Sequence, residues 1–380
     1  MLNLSGRTAY NEDHAQFRDT VRKVFERSIT PNLDRYEQEG IVDREAWRAV
    51  GEAGLLCPTA PEAYGGLGLD FGYNAVVDEE LAYIGSSAGF TLQSDIVLDY
   101  LVNYGSEEQK LKYIPKMVTG ELITAIAMTE PGTGSDLQSV RTTARRDGNH
   151  YIVSGSKTYI TNGQNADLII VVAKTDVDAG AKGMSLILVE AGDEGFARGR
   201  NLDKIGQHSA DTSELFFNDV RVPTSNCLGE EGKGFIYLMS QLPQERLSIA
   251  ISAHAAAQRA FDEAVAFTKD RKAFGQPVFA FQNTKFTLAD LAARLQVGWA
   301  HLDWAIKRHI AGELSTAEAS AAKLWHTDLQ GEVCDAALQL HGGAGYMNEY
   351  LIARLWRDAR VTRIFGGTNE IMKEVVSRSL

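Results

Sequence analysis

The sequence predicts an α+β protein in three consecutive parts: a helical N-terminal domain over residues 1–121, a small β-barrel or sandwich over 122–228, and a helical bundle over 229–380. Three observations carry this prediction. Apolar residues recur every three or four positions in the first third, and again in the last. Between them, short runs of Val, Ile, Thr, Tyr and Phe alternate with Gly, Asn and Asp turns. The 380 residues also suffice for two or three packed units at roughly 150 residues each.

In the first part Val21, Val24, Phe25 and Ile29 follow Phe17 at helical steps, and Thr30-Pro31 stops that helix. Similar stretches run to about Tyr113, broken by Tyr64-Gly-Gly-Leu-Gly-Leu69, whose glycines permit tight turns. The clearest strands are Tyr151–Val153, Leu168–Ala173, Met184–Val189 and Leu215–Val222. From Gly232 the helical period returns. Ala257, Ala260, Phe261, Ala264 and Phe267 line one face, and Phe286–Ile310 and Thr316–Leu340 contain few breakers, as expected of an antiparallel bundle.

Composition narrows the function. Lys plus Arg number 38 against 50 Asp plus Glu, a net charge of −12, which disfavours a broad surface for nucleic acid or acidic membranes. A small anion would need a local basic pocket. Apolar residues are 44% of the chain, yet no apolar run approaches the ~20 residues of a membrane span, so no membrane insertion is expected. Cys57, Cys227 and Cys334 lie far apart without CxxC or His/Cys spacing, which indicates neither a disulfide framework nor a metal site. Met1 to Asn11 carries neither an apolar signal core nor an Arg-rich presequence, and a cytoplasmic protein is expected.

Two segments offer chemistry. Ala127-Met-Thr-Glu-Pro-Gly-Thr-Gly-Ser-Asp136, placed at the helix-to-strand transition, exposes amides and hydroxyls that suit a pyrophosphate or a polar ring edge; an interdomain linker has the same composition. No βαβ pattern surrounds it, so it is not the GxGxxG of a dinucleotide fold. Gly155-Ser-Lys-Thr-Tyr-Ile-Thr-Asn162 reads as a turn followed by a strand with Tyr159 and Thr161 on one face. An aromatic plane beside a hydroxyl suits a flavin, and a surface cross-strand pair fits equally.

These two segments, about twenty residues apart, resemble the TEPGxGSD loop and GxKxxIxN strand of the acyl-CoA dehydrogenase family. The resemblance continues through Tyr64-Gly-Gly-Leu-Gly68, Arg271-Lys-Ala-Phe-Gly-Gln276, Gln339-Leu-His-Gly-Gly-Ala-Gly-Tyr346, Trp356-Arg-Asp-Ala-Arg360 and Ile364-Phe-Gly-Gly-Thr-Asn-Glu370. It implies a C-terminal four-helix bundle, an FAD cofactor, and conversion of a fatty acyl-CoA to the trans-2-enoyl-CoA. In that reaction Cα loses a proton to a base and Cβ a hydride to flavin N5. By similarity, Ile126, Ala127, Met128, Thr129, Gly134, Ser135, Tyr159, Ile160 and Thr161 cradle the flavin ring, Thr129 and Thr161 offering hydrogen bonds. Arg271, Gln282, Gln339, Leu340, His341, Gly342, Gly343, Thr368, Asn369 and Glu370 would hold the pyrophosphate and adenine, partly from a neighbouring subunit, which implies a homotetramer built as a dimer of dimers. The guanidinium of Arg271 suits a pyrophosphate in an acidic protein, and a surface ion pair is its plainer role.

Many members carry the catalytic base on a Glu immediately before the Gly-Thr of the C-terminal motif. Here that position is Gly366, which has no titratable group. The long-chain and isovaleryl enzymes place the base on a bundle helix in a sequence like Leu242-Pro-Gln-Glu-Arg-Leu247, which assigns it to Glu245 and puts Pro243, Gln244, Arg246, Gly367 and Ser135 at the substrate. The amide of Gly366 would bond the thioester carbonyl. Locally, Pro243 reads as a first-turn residue, so Glu245 would be stabilised by the helix N-terminus, either as base or as a simple cap. Arg246 is either a substrate-site residue or a buried partner for a carboxylate.

The stretch Asp211–Arg221, with 242–247 and 366–373, looks most like the long-chain subgroup and implies a medium-to-long linear acyl chain; a branched, isovaleryl-like substrate shares the same base position. Electron-transferring flavoprotein is the implied electron acceptor. A flavin oxidase or monooxygenase on the same fold, and a non-catalytic acyl-CoA-binding partner, are the other readings.

Overall fold

The computed structural model describes residues 6–380, so residues 1–5 of the N-terminal stretch lie outside the described residues. Asn11 caps the first helix, its side chain accepting from His14 N at 3.1 Å. That helix, α1 (Glu12–Ser28), buries Val21, Val24 and Phe25 and ends just before Thr30-Pro31. α2 (Leu33–Glu39), α3 (Arg44–Glu52), α4 (Phe71–Tyr83), α5 (Leu98–Tyr104) and α6 (Glu107–Val118) follow. The turn Leu92–Val97 leading into α5 is π-helical, which inserts an extra residue per turn and re-aims the side chains after it.

Buried charge ties these helices to the C-terminal bundle. Arg18, on α1, donates to Glu79 at 2.7 Å and to Glu80 at 2.8 Å, both on α4. Arg7 bridges Glu79 at 2.8 Å and Asp303 at 2.6 Å, and Tyr10 donates to Glu79 at 2.7 Å.

The middle part forms one seven-stranded sheet: β1 (Thr124–Ala127), β2 (Thr143–Asp147), β3 (His150–Thr161), β4 (Leu168–Lys174), β5 (Met184–Glu190), β6 (Phe196–Asn201) and β7 (Thr212–Pro223). The order is β1-β4-β2-β3-β7-β6, with β5 also paired to β4. β4 is apolar throughout because both its faces are covered: Ile169 and Val171 point into the core of the sheet, Ile170 and Val172 into the core shared with the N-terminal helices.

Two local expectations are corrected. The Thr129–Asp136 loop does not sit at the helix-to-strand transition; it links β1 to β2, because residues 124–127 are already extended and pair in parallel with β4. Gly155 is not a turn either. It lies inside the continuous strand β3 at a bulge, where a Cβ would clash with Thr142. A second register shift between Lys157 and Ile160 leaves Tyr159 at φ 60°, while Tyr159 and Thr161 are both more exposed than the buried Ile160 between them.

The C-terminal part contains α7 (Gly234–Asp270), α8 (Gln282–Ile310), α9 (Thr316–His341), α10 (Leu351–Ala359) and α11 (Asn369–Ser377). Buried alanines 250, 253, 257, 260 and 264 on α7 allow close approach of its neighbours. A two-residue hairpin, β8 (Lys272–Ala273) with β9 (Gln276–Pro277), follows α7.

Candidate active site

Glu245 lies well inside α7 rather than in its first turn. The helix begins at Gly234 and passes through Pro243. Phe235 and Leu238 before the proline, and Leu247, Ala250 and Ile251 after it, pack in apolar cores, and that packing carries the helix through Pro243. The N-terminal dipole fades within the first turn, so it does not support the Glu245 anion. Burial therefore dominates: it lifts the carboxyl to about 7, while the bond from Tyr100 and the charge of Arg246 pull the other way.

Tyr100, on α5, donates to Glu245 Oε1 at 3.0 Å. Oε2 accepts no hydrogen bond among the described residues. Gln244 does not share this face. Its amide nitrogen donates to Asp95 O at 2.6 Å and its oxygen meets His309 Nε2 at 2.8 Å. Arg246 is buried and donates to Ser320 Oγ at 3.0 Å, with Nε unpartnered and no ion pair to a carboxylate among the described residues.

Gly366 sits against the same face of α7. It has φ 63°, and a Cβ built on it would meet Ile249 Cδ1. Ile249 is one turn beyond Glu245, so the two stack along one stripe of the helix. Gly367 lies beside Arg246, 3.9 Å from Nη2 to a built Cβ. Lys323, fully buried on α9, donates to Gly367 O and Asn369 Oδ1, each at 2.8 Å, and so fixes this loop. The amide of Gly366 bonds no acceptor among the described residues. The side chain of Asn369 is turned inward: its amide nitrogen donates to Thr327 and Asp328, each at 3.0 Å. Thr368 caps α11.

The Thr129–Asp136 loop is pinned from below. Glu130 accepts from Lys157 Nζ at 2.9 Å, from Arg141 N at 2.6 Å and from Thr142 N at 2.9 Å, and Lys157 also donates to Met128 O at 2.9 Å. Above this clamp the Thr129 and Thr161 hydroxyls and the amides of Gly134 and Ser135 have no partner among the described residues. Side chains built on Gly132 or Gly134 meet nothing within 4 Å, and Tyr159 is 69% exposed. Ile126, Ala127 and Ile160 are buried in their strands. Only backbone from these three can face a ligand. Met128 is half-buried, and Ser135 is exposed.

A second cluster occupies the other end of α7. Arg271 follows the last turn of α7, exposed and without an ion pair among the described residues; Gln282 starts α8. Phe267 stacks on His341 at 4.4 Å, which brings the end of α9 alongside. His341 is buried, whereas Gln339, Gly342 and Gly343 are exposed and both glycines face open space. From Glu245 to this end α7 rises about 38 Å, at ~1.5 Å per residue.

Sequence reasoning missed Tyr100, Lys157, Glu130 and Lys323. Lys157 and Glu130 stand within the two recognised motifs, and a lysine at an inward strand position was the available signal. Tyr100 and Lys323 carried none.

Three family models cover the chain in the order of its three parts: acyl-CoA dehydrogenase, N-terminal domain, over residues 11–121; middle domain over 125–220; C-terminal domain over 232–380. The chain belongs to the acyl-CoA dehydrogenase family. It is 49% identical over 383 residues to the mitochondrial long-chain specific acyl-CoA dehydrogenase of Sus scrofa, covering 100% of this chain and 89% of that one. An acyl-CoA dehydrogenase from Geobacillus kaustophilus matches its structure with a TM-score of 0.97 at 50% identity, over 98% of this chain and 99% of the other. A glutaryl-CoA dehydrogenase from Mycobacterium smegmatis in complex with FADH2 matches with a TM-score of 0.89 at 26% identity, over 98% and 95%. No described helix is long and apolar enough to cross a membrane.

Proposed function

We propose that the protein binds FAD and dehydrogenates a medium-to-long linear fatty acyl-CoA to the trans-2-enoyl-CoA, with Glu245 as the base that takes the α-proton. One observation carries this most: position 366 is glycine, and the face of α7 on which it rests holds a buried carboxylate one turn away. Glu245 offers Oε2 to the proton. Gly366 offers its amide to the thioester carbonyl, and one such donor is worth ~3 kcal/mol as negative charge develops there. When bound, the flavin supplies the acceptor for the hydride leaving Cβ.

The protein atoms fit that cofactor. Unpartnered donors at Thr129, Gly134, Ser135 and Thr161 would meet the ring, with Tyr159 beside it; Arg271, Gln282 and the backbone of 339–343 would take the pyrophosphate and adenine. Thr368 and Glu370 flank Asn369, whose loop Lys323 anchors beside Gly367 and Arg246 at the Glu245 end of α7, so they would serve the ring end rather than the pyrophosphate and adenine that the resemblance implied. From Glu245 to Arg271 α7 rises about 38 Å, so a flavin whose ring lies beside Glu245 would take its pyrophosphate and adenine contacts from that end of α7 in a neighbouring copy. Exposed Phe274, Tyr346 and Met347 at one end, and Trp304, Trp325 and Phe365 elsewhere, are apolar surface that a dimer of dimers would cover. Domain boundaries at 121/122 and 228/229 and electron-transferring flavoprotein as acceptor complete the proposal.

Anaerobic flavin bleaching across straight and branched acyl-CoAs tests the substrate: the fastest bleaching is expected with medium-to-long linear chains, and faster bleaching by isovaleryl-CoA would reassign it. Because the Glu245 carboxyl stands at about 7 and must be ionised, kcat/KM should rise with pH through that value to a plateau. An acid limb near 4.3, the ordinary glutamate range, would place the base elsewhere. Lys157→Met leaves Glu130 buried without its cation, and FAD retention on dilution should fall about tenfold or more; unchanged retention would show that the clamp does not hold the loop.

A further inference from the structure

Given Glu245 as the base, we propose that Tyr100 is a positioning residue for the reaction, its hydroxyl fixing one oxygen of the Glu245 carboxylate so that the other is free to take the α-proton. Tyr100 is 0% exposed, and a buried phenol must place its hydroxyl on an acceptor. Glu245 Oε1, 3.0 Å away and 145 residues distant in sequence, is its only hydrogen-bond acceptor among the described residues. The division between the two oxygens is what a general base requires. An oxygen held by a donor cannot swing away, and the oxygen without a bond keeps its lone pairs for the substrate.

The surroundings fix the phenol before any substrate arrives. Tyr100 and Tyr104 are one turn apart on α5, facing Tyr237, Gln241 and Glu245, each one turn apart on α7. Tyr104 stacks on Tyr237 with centroids 3.9 Å apart and accepts from Gln241 Nε2 at 3.0 Å. The π-helical turn before α5 is itself tied down: Asn74 Nδ2 donates to Asp95 Oδ1 at 2.8 Å, Ser248 Oγ to Asp95 Oδ2 at 2.6 Å, and Gln244 Nε2 to Asp95 O at 2.6 Å. Two of those donors lie on α7, beside the base.

The bond also bears on protonation. Titratable groups around Glu245 are Arg246 on its own helix, Asp99 and Tyr104 on α5, Asp95 on the π-helical turn, His309 on α8 through Gln244, and Lys323 on α9 beside Arg246. Of these, Arg246, together with the Tyr100 hydroxyl, holds the carboxyl down against burial. Loss of the hydroxyl should therefore raise the carboxyl further, and the sign is fixed: activity is lost at the acid side and returns at higher pH.

The test is the pH dependence of kcat and KM in FAD-loaded Tyr100→Phe, with FAD content and thermal unfolding as checks on folding. The acid limb should move up by about one pH unit or more, and kcat at pH 7 should fall about tenfold, since a hydrogen bond to an ionised group is of that order. Activity should recover to within about threefold above the new limb, with KM little changed. Tyr100→3-fluorotyrosine, a stronger donor that keeps the fold, should move the limb down. Tyr113→Phe, which removes a hydroxyl donated to Glu190 far from the site, should leave it in place. An unmoved limb in both position-100 variants, or an equal loss at every pH, would overturn the role of Tyr100. If Glu245→Gln were inactive in that same case, the base would stand and only the positioning role would fall; a fully active Glu245→Gln would remove both.

Discussion

Glu245→Gln should lower acyl-CoA-dependent flavin reduction by about 10³-fold while leaving FAD and acyl-CoA binding in place. The amide matches the carboxylate in size, and its oxygen still accepts from Tyr100, so the buried contact survives. What it lacks is a basic oxygen, and positioned proton transfer typically contributes 10²–10⁴-fold. The nearest rival is Asp99 on α5, which burial and the neighbouring Asp95 charge raise to about 7. The Gln244 side chain beside it partly offsets that rise, and Gln244 lies on the flank of α7 away from the stripe that carries Glu245 and Ile249. Asp99→Asn should accordingly retain most of the activity. Stopped-flow reduction of the two variants side by side separates the carboxylates, and a silent Asp99→Asn beside an active Glu245→Gln would exchange their roles.

The second large effect concerns stability. Arg18 is 1% exposed and is the cation common to Glu79 and Glu80. Arg18→Met leaves Glu80 only Arg22 and Glu79 only Arg7, and removing the shared cation from this buried network costs about 3–5 kcal/mol. For a chain of this size the apparent Tm should fall by about 5 °C. Adding Glu80→Gln to Arg18→Met should restore part of the loss, since it removes one of the two carboxylates left with a single cation. The pH dependence has a definite sign. Burial would raise the Glu79 carboxyl, but the charges of Arg7 and Arg18 outweigh it and hold it at about 2, below its usual 4.5. The network thus stabilises fully above that usual value and is lost as pH falls from about 4.5 toward 2. A wild-type protein whose unfolding temperature is flat across that window, or an Arg18→Met variant with unchanged Tm, would show the network to be idle.

The three-part order was legible from periodicity because α1, β4, β5 and α7 bury long, regular apolar patterns. The chemistry was legible only through motifs. Nothing in the spacing of Leu242–Leu247 marks Glu245 as a base; its proposal rests on the resemblance and on the glycine at 366, which removes the usual carboxylate. Local rules failed where tertiary packing was stronger. Pro243 reads as a helix start, yet the apolar packing of α7 on either side carries the helix through it. Gly155 reads as a turn, yet pairing with β7 keeps it in a strand and converts it to a bulge. Tyr100 and Lys323 were invisible because their partners, Glu245 and Gly367, lie 145 and 44 residues away and meet them only when α5 and α9 dock. Buried polar pairs of this kind leave no periodic trace, since each is a single residue on an otherwise apolar face.

The proposed reaction begins with removal of the α-proton by Glu245, and that step can be watched apart from hydride transfer. Acyl-CoA bound to the holoenzyme in D2O should exchange its α-hydrogen with solvent, read by mass spectrometry of the recovered thioester. Wild-type protein should exchange rapidly above pH 7, and Glu245→Gln about 10³-fold more slowly. Exchange in Glu245→Gln at the wild-type rate would contradict the assignment outright.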